Sequence, residues 1–139
     1  MKSGKTLIRV AKHRVDELQK QMGSLNAALN DVEARTRALN AGVPKQQAEA
    51  ARLMGQAMIN YGAYAQAVIQ KREALAQERR EIESRIEDCR AVIRRAYEEL
   101  KRYEKLQEQF EREQDKEALK REQAELDSLG LDAFRRHSS

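Results

Sequence analysis

Tryptophan is missing from this chain of 139 residues, and proline and cysteine occur once each. Aromatic residues make up only 4%. So few bulky apolar side chains cannot fill the core of a compact globular domain. The single thiol, Cys89, has no second cysteine to bridge to, which excludes an intrachain disulfide framework and fits a reducing cytosol. Its expected role is that of a small buried apolar residue. No run approaches the roughly 20 apolar residues that a membrane span needs. Lys2, Lys5, Arg9, Lys12 and Arg14 divide the opening stretch too finely for a signal peptide. A cytoplasmic protein is expected.

A dominant charge sign is lacking too. Charged residues reach 36%, but Lys and Arg number 27 against 23 Asp and Glu, and the two signs interleave. A nucleic-acid binder gathers its basic residues on one face without carboxylates. The one local excess is the basic group ahead of Asp16, so no nucleic-acid partner is expected.

Signals for chemistry are as sparse. His13 and His137 have no Cys, Asp or Glu at metal-ligand spacing that stands out from the background charge. Glu98 and Glu99 fall on a solvated helix with no pocket to shift a pKa. Ser3-Gly4-Lys5-Thr6 imitates the end of a phosphate-binding loop. That loop needs an earlier glycine and a strand leading into it, and this chain offers neither. No catalytic residue, cofactor or metal is expected, and the protein is not read as an enzyme.

What is present is periodicity. From Tyr61, alternate steps of four and three residues reach Ala65, Val68, Arg72, Leu75, Arg79, Ile82, Ile86, Cys89, Ile93, Ala96, Leu100, Tyr103, Gln107 and Phe110. Only Arg72, Arg79 and Gln107 break the apolar pattern. An a/d stripe held for about seven repeats specifies a long helix in a coiled coil. A second stripe joins Ile8, Ala11, Val15, Leu18, Met22, Leu25, Leu29, Val32, Thr36 and Leu39. Acids four residues ahead of bases, such as Asp31 with Arg35, support it. The stems of Arg72 and Arg79 are expected to pack while their heads reach water, or else the two select register or pair with a partner's acid.

Asn40-Ala41-Gly42-Val43-Pro44 carries a helix stop: a glycine for a left-handed cap, then a proline that forbids continuation. The spacing therefore predicts an all-α fold, an antiparallel coiled-coil hairpin of two long helices with the second one longer. Helix one covers about 5–41, the connection about 42–56 and helix two about 57–128. A loose tail spans 129–139, with Gly130 as the helix-ending signal, and the hairpin makes a single domain. On these lengths helix one covers helix two only to about residue 97. The rest, where apolar seam residues thin to Leu119 and Leu126, needs another partner. Tyr64 and Ile69 fall off the seam near the connection, where they form an exposed apolar patch or flank the core.

Three blocks of the chain carry a family likeness. The first is Thr6-Leu7-Ile8-Arg9-Val10 followed by Val15-Asp16-Glu17-Leu18. The second is Ile59-Asn60-Tyr61 with Tyr64 and Val68. The third is Tyr103-Glu104-Lys105-Leu106-Gln107-Glu108, then Arg121-Glu122-Gln123-Ala124-Glu125-Leu126-Asp127. In order and spacing these blocks resemble the FliJ family, small coiled-coil proteins of the flagellar type III export apparatus. The resemblance implies a stalk-like hairpin that sits in the hexameric export ATPase ring. It implies binding to the cytoplasmic domain of the membrane export gate and escort of substrate-specific export chaperones. Membrane association would come only through those partners, at the inner membrane of the flagellar base. Gate contacts carry over to Tyr64, Val68 and Leu75. Asn30, Ala34, Arg37 and Ala41 stand at the comparable places on helix one, where the family prefers Leu and Tyr. Leu119 and Leu126 are the candidates for the ATPase ring. A self-associating coiled-coil scaffold is the competing reading.

Overall fold

The structure, a computed structural model, describes the backbone of residues 2–52 and 56–138 and the side chains of residues 4–52 and 61–138. Residues 53–55, inside the expected connection, lie outside the described residues, as do the side chains of Ile59 and Asn60. Two helices account for everything described: α1, Lys2–Arg52, and α2, Gln56–Ser138. They pack against each other as an all-α hairpin. No helix among the described residues is long and apolar enough to cross a membrane.

Two compact units divide the chain. In Val15–Arg95 the core is a cluster of Val32, Ile82 and Ile86, with Met22, Leu25, Ala28, Leu29 and Leu75 packed against it. Val32 is 1% exposed. These are seam residues, with Ala28 beside the stripe. Each apolar side chain that leaves water here contributes about 1.5–3 kcal/mol when fully buried. Cys89 is buried on the same seam, and its thiol donates to the backbone oxygen of Leu18 at 3.7 Å. Further pairs fix the direction of the helices. As α1 climbs from Leu18 to Arg35 to Asn40, its partners on α2 fall from Cys89 to Glu78 to Arg72. The pairing is antiparallel.

Arg72 and Arg79 do more than reach water. Arg72 Nε donates to Asn40 Oδ1 at 2.9 Å, and Arg79 lies 3.3 Å from Glu33 and 2.8 Å from Glu83. Arg35 bridges Asp31 at 3.0 Å and Glu78 at 2.7 Å. These heads stay exposed, so their value lies in selecting register: a slip by one heptad breaks the bonds that cross between the helices.

The second unit is Met1–Arg14 with Ala96–Ser139. Ala11, Ala96, Leu100 and Gln107 are buried in it. Gln107 keeps its amide satisfied by donating to Glu111 at 3.3 Å. Past Phe110, every residue of α2 through Ser138 is exposed.

Helix boundaries depart from the sequence reading in three places. Helix α1 begins at Lys2, a few residues before the expected start near residue 5. It also runs straight through Gly42 and Pro44 to Arg52. Gly42 stays in the right-handed helix and does not form the left-handed cap. Burial outweighs the local stop, because Gly42 and Val43 are half-buried and Ala50 is buried. The longer α1 also explains why buried positions on α2 reach Gln107 rather than ending near residue 97. Finally, α2 does not stop at Gly130. Arg135, Arg136 and His137 in its last turn complement the helix dipole. The Ser138 hydroxyl donates to the Phe134 carbonyl at 2.8 Å.

Ile86→Asp places an unpaired carboxylate in the main cluster and is expected to cost about 3–5 kcal/mol. Ile93→Asp, at a half-buried position, costs less. Glu83→Gln, at an exposed position, leaves the thermal midpoint nearly unchanged. Thermal melts followed by circular dichroism check the order, and equal losses from Ile86→Asp and Glu83→Gln would refute the seam.

Candidate functional site

The proposed gate residues occupy three different environments. Val68 is only 5% exposed and belongs to the core, as its place on the a/d stripe requires. It is not available to a partner in the folded hairpin. Tyr64 is half-buried. Its ring centroid lies 6.2 Å from that of Tyr61 with the planes tilted by 37°. Its hydroxyl lies beside Gly42 on α1, 3.7 Å from where a Cβ there would stand. Leu75 is half-buried, packed on the Val32 cluster, and it also lines a surface groove.

That groove holds about 460 Å³ and is walled by Arg35, Leu39, Lys71, Ala74, Leu75 and Glu78. Leu39 and Leu75 form an apolar floor between the two helices. Arg35 and Glu78 pair at the rim. The Glu78 hydrogen bond is the main reason the Arg35 guanidinium holds its proton above the usual arginine range, with Asp31 adding to it. Arg79 is raised likewise, chiefly by its bond to Glu83. On α1, Asn30, Ala34, Arg37 and Ala41 are all exposed. Ile69 is 48% exposed, as its off-seam position predicts. In this unit the structure thus supplies a groove around Leu75, leaves Asn30, Ala34, Arg37 and Ala41 on another face of α1, nearly half a turn from the groove's Arg35 and Leu39, and buries Val68.

Leu119 and Leu126 are 65% and 62% exposed. They do not continue the seam, and that part of the sequence reading is corrected. Nine residues separate Phe110 from Leu119, which at about 100° per residue puts Leu119 roughly half a turn round the helix. Leu126, one heptad on, shares the new face. The positions that do extend the seam are polar: Gln114, Glu117 and Arg121. The extension therefore presents its apolar stripe on a face that α1 does not track.

Sequence reading missed the rest of this surface. Leu129, Leu131 and Phe134 are all large, apolar and exposed on the continuing helix. A tail starting at residue 129 would leave them on no common face; with α2 carried past Gly130, Leu129 falls three residues after Leu126, beside it on the same face. Also missed is an apolar concavity of about 320 Å³ lined by Gly4, Leu7, Tyr103, Leu106, Gln107 and Phe110. Leu7 and Leu106 lie off the seam, where the heptad gives them no signal. Tyr103 anchors one wall by donating its hydroxyl to Glu99 at 2.8 Å. That bond, foremost, raises the tyrosine pKa.

Among the described residues no three His, Cys, Asp or Glu side chains stand close enough to hold a metal ion. Compared with known families, residues 2–139 match the model for the flagellar FliJ protein. No curated protein and no solved structure gives a significant match.

Proposed function

The chain belongs to the FliJ family of the flagellar export apparatus, and we propose that it acts there as a stalk-like coiled coil coupling the export ATPase ring to the export gate. The family is a non-catalytic export component, and the surfaces of this chain suit a coupling role. One observation carries the proposal. Helix α2 outlasts α1's cover, and residues 111–138 stay helical while exposed along their whole length.

A lone helix in water is marginal unless something stabilises it. Within the extension Arg112 pairs with Glu108 at 2.6 Å and Gln123 bonds Asp127 at 3.1 Å. Such pairs add a few tenths of a kcal/mol each. A helix held by local pairs, carrying Leu119, Leu126, Leu129 and Phe134 outward, suits insertion into a ring. The ring takes a charged rod without needing a large apolar interface. The gate's cytoplasmic domain is assigned to the groove around Leu75, whose α1 wall is Arg35 and Leu39; Tyr64 lies two turns before Lys71 on α2, and Asn30, Ala34, Arg37 and Ala41 fall nearly half a turn round α1 from that wall. Chaperone escort belongs to the same reading. The protein sits peripherally at the inner membrane through these partners.

The same exposed stripe also supports self-association as a scaffold. Sedimentation separates the two: a monomer fits the stalk, and a stable dimer fits the scaffold.

Two expected outcomes test the proposal. Removal of residues 119–139 leaves the hairpin folded, because every buried residue among those described lies outside that segment. It abolishes stimulation of the hexameric ATPase, read as the rate of ATP hydrolysis. Full stimulation by the truncated protein would exclude insertion of this segment. Tyr64→Ala weakens binding to the gate's cytoplasmic domain with little loss of helicity. A large drop in the far-UV circular dichroism signal would make Tyr64 a structural residue instead.

A further inference from the structure

Asn40-Ala41-Gly42-Val43-Pro44 encodes a helix stop, yet α1 passes through it. Conflict between local code and fold marks strained or functional places. Pro44 has no N–H, so the carbonyl of Asn40 lacks its partner four residues on, and the proline ring presses on that carbonyl. Gly42 is the poorest ordinary helix former, and Val43 is β-branched and stiff. Three adjacent residues thus oppose the conformation they hold.

The segment beyond Val43 is thinly anchored. Residues 44–49 are all exposed, and Ala50 is the one buried residue of 42–52. On the other side the helix is well held. Asn40 accepts from Arg72 at 2.9 Å, and Leu39, Thr36 and Val32 lie on the seam. Thr36 also donates back to the Val32 carbonyl at 2.9 Å. The firm part of α1 ends where the stop begins.

We infer that Asn40–Pro44 is a built-in hinge that lets residues 43–52 open from α2 while the rest of the hairpin stays closed. In the closed state the helix is continuous. In the open state Gly42 takes the left-handed conformation that a helix cap uses, and α1 ends at Ala41. The Asn40–Arg72 bond lies before the break and survives it. Opening withdraws Gly42 from the Tyr64 hydroxyl and bares the Tyr61–Tyr64 pair on α2. The hinge does not depend on which partner reads that surface, since it is a property of the free chain. If Tyr64 is the gate contact proposed above, opening is the step that presents it.

Closed and open states differ in amide protection, so hydrogen exchange by mass spectrometry on the full-length protein tests the hinge without any partner. Amides of 45–52 are expected to exchange at least tenfold faster than those of 22–36 after correction for intrinsic rates. Pro44→Ala restores the missing donor and should slow 45–52 by at least tenfold while leaving 22–36 unchanged. Gly42→Ala should slow the same segment several-fold. Its added Cβ meets only the Tyr64 hydroxyl, at an ordinary 3.7 Å, and it disfavours the left-handed cap. Equal protection of 45–52 and 22–36 in the natural protein would overturn the hinge. So would a Pro44→Ala protein in which 45–52 exchanges as before.

Discussion

An a/d stripe on a long polar helix has one stable place to go, and that is against another such stripe. Everything else in this molecule depends on that burial. Neither helix has enough apolar surface to fold alone, and the chain has no sheet or third layer among its described residues to lend any. The Val32, Ile82 and Ile86 cluster therefore fixes which faces meet. The exposed arginines then choose among the registers that the apolar stripe alone would allow. Arg35 to Glu78 and Arg79 to Glu33 bond across the helices at one register only.

Function depends on where this burial stops. A seam of fixed width leaves flanks and an extension that the chain cannot cover itself. In Val15–Arg95 the flank is a groove with an apolar floor and a charged rim. In the other unit it is an apolar concavity and a helix carrying five exposed large apolar side chains beyond residue 118. The chain belongs to the FliJ family, and the function proposed for it assigns these surfaces to partner proteins.

Much of this was legible in the sequence because the heptad is long and nearly unbroken. Val15, Leu18, Val32, Ile82, Ile86 and Cys89 lie on the stripe and are buried in the fold. Punctuation was the weak part. Gly42 and Pro44 read as a stop because local signals count only the cost of continuing; the burial of Ala50 beyond them is a tertiary gain that no local signal contains. Gly130 misled in the same way, since the cationic last turn behind it favours the helix. The candidate site was harder still. Val68 is both a seam residue and a proposed contact, and burial decides for the seam. Leu119 and Leu126 are seven residues apart, which looks like a heptad. Only counting nine residues back to Phe110 shows that their phase has changed.

The central claim is that one molecule joins two machines. Sedimentation of a mixture of the export ATPase hexamer, the gate's cytoplasmic domain and this protein tests it most directly. If the protein couples them, the ATPase and the gate domain co-sediment only when it is present, and all three run as one species. If the gate domain displaces the protein from the ATPase, so that no three-component species forms at any ratio, the coupling account is contradicted.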